Sequence, residues 1–224
     1  MGDLDKLLQN NNGRIREMER YAAKGLMAVF KLAPILLHIN HPEVPGYIDD
    51  EDLPRGVVGL VDGEFHRKVM RLFPALRGEG ARSLNVRQPA VESLVVMGSS
   101  GSVGHTSSSD LDYWVCLDAE RLGPERIRLL RIKLNRLTEW AAARYKAEVN
   151  FYIIGLKDLA ENKFSSPEGE SEGDVAPMLL KEEFYRTLVW AAGPRAWPES
   201  VSSFHRKEAA HPDRPRLARE SGAF

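Results

Sequence analysis

Two aspartates separated by a single residue, Asp110 and Asp112, are the side chains of this sequence best suited to chemistry. Polar and apolar residues alternate from Asp110 to Leu117, which predicts a strand with both carboxylates on one face, roughly 7 Å apart. Carboxylates this close repel each other, so the pKa of one should rise unless a cation lies between them. Mg2+ is the economical cation, since it favours a few carboxylates together with water and substrate phosphates.

A run of small residues precedes the aspartates and could receive phosphate. Gly98 and Ser99 follow a short apolar stretch, and glycine lets a polyphosphate approach backbone N–H groups while Ser99 adds a hydroxyl donor. Together with the aspartates, these residues predict phosphoryl transfer with two metal ions, one activating a hydroxyl and one steadying the leaving pyrophosphate. The glycine spacing fits neither the P-loop nor the dinucleotide fingerprint. A Ser-rich turn beside two surface aspartates is the plainer alternative.

The elements that must position these residues alternate between helix and strand. The patterns predict one helix over 14–38, a Pro-rich loop over 38–47, a strand over 57–61, a helix over 64–76, strands over 93–97 and 110–117, a helix over 124–145, a strand over 146–154, a loop over 164–175 and a helix over 176–192. We therefore expect an α/β (α+β) fold with a small mixed sheet, helices mainly on one face and an N-terminal helical portion.

Three regions differ in character. We expect a helical segment with a Pro-rich loop over 1–56, a catalytic core over 57–193, and a disordered or aberrant tail over 194–224, which holds several prolines and no apolar period.

Composition excludes several classes of protein. Lys and Arg number 31 against 32 for Asp and Glu, a net charge of -1, which disfavours bulk binding to nucleic acid. The single cysteine, Cys116, cannot form an intrachain disulfide or a thiolate metal cluster. Apolar runs stay far below the roughly 18 residues of a membrane span. The polar start does not look like a signal peptide, so we expect a soluble protein of the cytoplasm.

The string from Met97 to Cys116, MGSSGSVGHTSSSDLDYWVC, resembles the signature of the class I adenylate cyclases of proteobacteria. That family is a branch of the polymerase-β-like nucleotidyltransferase superfamily, so the resemblance implies a nucleotidyltransferase-like core. The segments 36–47 and 179–187 resemble two further stretches of the family, and the similarity spans roughly residues 15 to 193. The string is highly specific, whereas Asp-x-Asp alone is not.

The resemblance implies a substrate and a metal. Asp110 and Asp112 would hold Mg2+, with two ions expected and Mn2+ as an alternative, while Gly98 and Ser99 would receive the triphosphate of ATP. The implied reaction is attack of the ribose 3′-hydroxyl on the α-phosphorus, which gives 3′,5′-cyclic AMP and pyrophosphate.

Three further positions complete the implied site. Ser100 and His105, in the same loop as Gly98, are candidates for contacts with the nucleotide. The superfamily adds a third carboxylate in an apolar-acid-apolar setting on a neighbouring strand, and Glu148 is the best match. A solvated glutamate at a strand end is the alternative. His38 and His41 could form a metal pair, but packing is the favoured interpretation.

Two alternatives to cyclase activity remain open. The same core could transfer a nucleotide to an external acceptor, or the chain could bind ATP and Mg2+ without turnover. In the family the chain continues into a regulatory C-terminal half, which we expect to be absent because the sequence after Gly193 loses its family character.

Overall fold

The computed structural model describes residues 3–78, 84–97, 110–161 and 189–192. Its elements, in chain order, are α1 (Asp3–Tyr21), α2 (Lys24–His38), α3 (Gly63–Leu72), a 3-10 helix (Pro74–Gly78), β1 (Val91–Met97), β2 (Leu111–Leu117), α4 (Ala119–Leu122), α5 (Pro124–Tyr145), β3 (Val149–Gly155), α6 (Leu156–Glu161) and β4 (Val189–Ala192). None of the helices in these ranges is long and apolar enough to cross a membrane.

The strands form one mixed sheet in the order β3-β2-β1-β4. Strand β2 is antiparallel to β1 and parallel to β3, while β4 is antiparallel to β1. Since paired residues of neighbouring strands share a face, the register assigns each side chain to one of two faces. The predicted α/β class with a small mixed sheet and flanking helices is confirmed.

The main hydrophobic core lies between one face of the sheet and helices α2 and α5. Tyr113 on β2 stacks on Phe151 of β3, with ring centroids 5.0 Å apart. Helix α2 is apolar along most of its length and buries ten residues, so it is a core helix rather than a surface one. The boundary at residue 56 stays a prediction, although this core joins residues from both sides of it.

Helix α5 has the bounds that the sequence predicts. Gly123 adopts φ +75°, a conformation that favours glycine, and Pro124 begins the helix with no N–H to satisfy. Its stripe of Leu130, Leu134 and Leu137 packs into the main core. Lys146 ends it in the left-handed conformation.

The helix predicted over 14–38 is two helices, because the chain turns at Ala23, where ψ is 140°. Gly25 then lies against the end of α5, where an added Cβ would be 2.6 Å from the Tyr145 carbonyl oxygen. The turn therefore lets α2 dock on α5. Two alanines give no breaker signal, so the apolar period runs through the break.

Two predicted strands differ from the structure. Only Val57 of the strand expected over 57–61 pairs with the sheet, through one bridge to Val91, because Gly56 and Gly59 take positive φ values. The strand expected from Lys146 begins at Val149, since Lys146 completes the end of α5.

The helix predicted over 176–192 is wrong for Val189–Ala192, which form β4 along the edge of β1. Backbone pairing to an open strand edge overrides helical periodicity there. The loop over 164–175 and the tail over 194–224 lie outside the described residues.

Candidate functional site

Asp112 lies at the centre of one end of the sheet. It pairs across the antiparallel ladder with Met97, the last residue of β1, and across the parallel ladder with Asn150 near the start of β3. Met97 directly precedes Gly98, so the strand that leads into the Gly-Ser sequence ends beside the aspartate. The sequence predicted the two consecutive strands, and the register adds that their ends lie side by side.

Among the described residues, Asp112 is a half-buried carboxylate with no ion-pair partner. Burial raises the pKa of Asp112, a hydrogen bond from Asn150 opposes this shift, and the negative charge of Asp110 adds to it. Among the described residues, no ion pair joins either aspartate to a lysine or arginine. A cation would offset this unfavourable charge.

The donor set fits a hard divalent ion that keeps several ligands from outside the protein. The strand predicted from Asp110 begins at Leu111, so Asp110 lies directly before β2 and Asp112 is its second residue; both carry carboxylate oxygens, the donors that Mg2+ binds. Within the part of the chain that the structure describes, no three His, Cys, Asp or Glu side chains come together around one site. The structure therefore does not gather Asp110, Asp112 and Glu148 around one site.

Of the other predicted site residues, the structure describes Glu148 only. Glu148 is exposed, and its carbonyl oxygen accepts a hydrogen bond from Leu111 N at 3.1 Å, so it lies one residue before β3 at the level where β2 begins. Its role as a third carboxylate stays a prediction. The four residues expected to contact the nucleotide lie outside the described ranges: Gly98, Ser99, Ser100 and His105.

An apolar layer supports the aspartates on their own face of the sheet. Trp114, two residues after Asp112, is only 8% exposed and packs with Val95, Met97 and Leu159 of α6. Cys116 is buried in the same cluster, as expected of a strand residue. The Trp114 indole therefore lies on the same face of the sheet as Asp112, further along β2 from the end that carries the aspartates.

His38 has a packing role, which agrees with the favoured interpretation. Val57 N donates to its Nδ1 at 3.0 Å, and its Nε2 lies 2.9 Å from the Leu84 carbonyl oxygen. Because Nδ1 accepts and a carbonyl can only accept, the ring is the neutral Nε2–H tautomer. His41 accepts from Glu43 N within the same loop.

Acid should destabilise the fold through His38. Burial lowers the pKa of His38, and the Arg55 charge adds to this, so the unfolded chain takes up the proton first as the pH falls below about 6.5. The free energy of unfolding should then fall by at most about 1.4 kcal/mol per pH unit. Urea unfolding between pH 7.5 and 5 should show this loss in the natural chain but not in His38→Gln. In the control His66→Gln, which changes a histidine of α3, the loss should persist; parallel curves for the natural chain and His38→Gln would contradict the assignment.

A second polar cluster joins helix α5 to the Pro-rich loop. Lys133 is wholly buried, and its Nζ donates to the carbonyl oxygens of Ile39 at 2.9 Å and Gly46 at 3.3 Å. Burial, together with the charge of Arg55, lowers the pKa of Lys133 to about 7. Gly46 has φ +82°, and a Cβ there would lie 2.7 Å from Leu137 Cδ2. The loop is therefore seated closely on α5.

Two polar residues of this structure were missed by the sequence reasoning. Asn150 lies two residues after Glu148, so strand alternation would have placed it on the same face as that predicted third carboxylate. Lys133 falls between Leu130 and Leu134 on the apolar stripe of α5, where a lysine is unusual enough to predict a buried partner.

Comparison with known proteins finds one family, the adenylate cyclases, across most of the chain. The model of the adenylate cyclase NT domain matches residues 4–197. Curated relatives include the adenylate cyclases of Escherichia coli strain K12 (36% identical over 167 residues) and Haemophilus influenzae (32% over 179 residues), with 75% of this chain covered in each case. The chain spans about a fifth of these relatives, 19% and 21% of their lengths. No solved structure matches the chain.

Proposed function

Because the chain belongs to the adenylate cyclase N-terminal domain family, we propose that it supplies the metal- and ATP-binding part of an adenylate cyclase active site. The observation that supports this most directly is the position of Asp112, which lies beside the end of β1, with Asp110 before it on the chain. The same end of the sheet leads directly into the Gly98-Ser99 sequence. The residues proposed to bind phosphate thus follow, along the chain, the strand that ends beside the proposed metal ligand.

The proposed reaction is intramolecular transfer at the α-phosphorus of ATP. The ribose 3′-oxygen forms a bond to phosphorus and loses its proton, while the bond from phosphorus to the oxygen that bridges to the β-phosphate breaks. That oxygen departs with pyrophosphate, and 3′,5′-cyclic AMP remains. No external acceptor takes part.

Asp110 and Asp112 would hold Mg2+, with two ions in the full site and Mn2+ as a substitute. When bound, the metal acts as a Lewis acid that lowers the pKa of the attacking hydroxyl and offsets charge on the phosphates. Glu148 is our candidate for the third carboxylate. Gly98, Ser99, Ser100 and His105 are the candidates for holding the triphosphate and nucleoside.

The described residues contribute positioning and exclusion of water. The buried side chains of Trp114 and Met97 lie beside Asp112 on the same face of the sheet and restrict the position of its carboxylate. A carboxylate that is partly shielded from water interacts more strongly with a cation than a fully hydrated carboxylate does. Since ATP is the proposed substrate, we place the protein in the cytoplasm, and its net charge of -1 gives no reason to expect nucleic acid as a partner.

Product analysis tests this function. The purified chain is incubated with ATP and Mg2+, and the products are separated by chromatography while Mg2+-dependent ATP binding is measured by calorimetry. Cyclic AMP and pyrophosphate without an acceptor would support the proposal in full. Binding without turnover would support the binding role and assign the chemistry to the remaining length of the enzyme. Transfer only to an added acceptor, or no Mg2+-dependent binding, would contradict it.

A further inference from the structure

Asn150 is the closest described polar neighbour of the proposed metal ligand Asp112. The parallel register of β2 and β3 places the two residues opposite each other, and Asn150 Nδ2 lies 2.9 Å from Asp112 Oδ1. A carboxylate only accepts hydrogen bonds, so the amide must present its NH2 group and not its oxygen to Asp112. The direction of the bond is therefore fixed by chemistry.

This bond makes the two oxygens of Asp112 inequivalent. Oδ1 is occupied by the amide donor, whereas among the described residues no hydrogen bond reaches Oδ2. The charged form of a half-buried carboxylate is stabilised by such a donor, and rotation about its last torsion is restricted. Within the described part of the chain, one oxygen of Asp112 is thus held and the other has no hydrogen-bond donor.

We propose that Asn150 is a positioning residue that orients Asp112 so that Oδ2 is presented to the divalent cation. The inference rests on the proposed function, since it concerns the same metal site. Residues that hydrogen-bond to a metal ligand fix its orientation, and their loss typically costs about 10- to 100-fold in metal affinity. Asn150 acts through Asp112 and touches no reacting atom.

A purely structural role for Asn150 makes a different prediction. The backbone ladder already joins β2 to β3 at every position from Leu111 to Leu117, so the strand pair does not depend on this side chain. A second side-chain bond to β3 offers a matched comparison: Thr138 Oγ1 of α5 donates to the Val149 carbonyl oxygen at 3.0 Å. It supports the same strand without touching a carboxylate.

The test compares the affinity for α,β-methylene-ATP with Mn2+ and with EDTA, measured by calorimetry on the full chain. The ratio of the two Kd values isolates the metal-dependent part of binding. Asn150→Leu, which keeps the size and removes the donor, should reduce this ratio by about tenfold or more. Asn150→His, which can return an N–H at a similar position, should restore most of it. The control Thr138→Val should lower Tm and leave the ratio unchanged.

The outcomes separate this inference from the proposed function. If the natural chain shows a metal-dependent ratio and Asn150→Leu keeps it, the positioning role is overturned while the metal site stands. Equal loss in the Leu and His variants would also overturn the role, since it would show that shape rather than the donor matters. If the natural chain shows no metal dependence, both proposals fall. Circular dichroism shows whether each variant folds; if Asn150→Leu does not, Asn150→Ala replaces it as the variant without a donor, and if Asn150→His does not, Asn150→Gln replaces it as the variant that keeps one.

Discussion

Replacing Asp112 by asparagine is expected to abolish metal-dependent nucleotide binding and, at the same time, to raise Tm. The amide has nearly the same shape as the carboxylate, and its oxygen can accept the bond from Asn150 Nδ2 that Asp112 Oδ1 accepts at 2.9 Å. The neutral side chain removes a charge that burial and Asp110 both disfavour. The fold should therefore become more stable at neutral pH, while the site loses one of its metal-binding side chains.

The loss of binding should be large. A metal ligand contributes more than its outer partners, whose removal costs about 10- to 100-fold, so we expect the metal-dependent affinity to fall by about 100-fold or more. Calorimetric titration with α,β-methylene-ATP and Mg2+ measures this loss, and a thermal melt without metal measures the change in Tm. Opposite signs in the two measurements would distinguish a functional carboxylate from a structural one.

The opposite end of the same strand provides the control. Asp118 caps helix α4 by accepting a hydrogen bond from Arg121 N at 3.0 Å, and asparagine is an equally good cap. Asp118→Asn should therefore change neither nucleotide binding nor Tm by a measurable amount. If Asp112→Asn bound nucleotide and metal as tightly as the natural chain, Asp112 would not be a ligand, and the proposed site would be wrong.

The neighbourhood of Asp112 could be predicted because it depends on short-range order along the chain. A strand that ends in Gly98-Ser99 and a strand that opens with Asp110 are consecutive, and consecutive strands commonly pair. In the structure these two strands pair, with Met97 opposite Asp112. Helix α5 was predictable for a similar reason, since Gly123 and Pro124 are local start signals.

The features that the sequence did not reveal depend on contacts between distant segments. Ala22 and Ala23 carry no breaker, and the turn between α1 and α2 exists because α2 packs on the end of α5. Val189–Ala192 satisfy helical periodicity but pair with β1, nearly a hundred residues earlier. The bond between Asn150 and Asp112 needs the parallel register of β2 and β3, which no single strand encodes.

Lys133 shows the same dependence on distant contacts. A neutral amine has two N–H groups, and the buried Nζ meets two carbonyl oxygens, those of Ile39 and Gly46. A charged ammonium would carry a third N–H into the same buried position. The geometry thus suits the neutral form, in agreement with the lowered pKa of about 7.

Lys133→Met should therefore destabilise the fold more strongly at high pH than at neutral pH. Methionine keeps the length of the side chain but leaves two buried carbonyl oxygens without a donor, each at a cost of about 1–3 kcal/mol. The ordinary pKa of lysine is about 10.4. Between pH 7 and this value, the unfolded chain holds a proton that the folded chain has released, so the stability of the natural chain rises with pH.

The gap in unfolding free energy between the natural chain and Lys133→Met should grow by about 2 kcal/mol from pH 7.5 to 9.5, since one proton is worth about 1.4 kcal/mol per pH unit. Urea unfolding at several pH values measures this gap, and other titrating groups cancel because both proteins share them. The control Lys31→Met removes an exposed lysine whose ion pair with Glu19 lies at the surface, so its gap should stay small and constant. A constant gap for Lys133→Met as well would mean that the buried amine keeps its charge in the fold, and the Pro-rich loop would then be held to α5 by an ammonium rather than by a neutral donor.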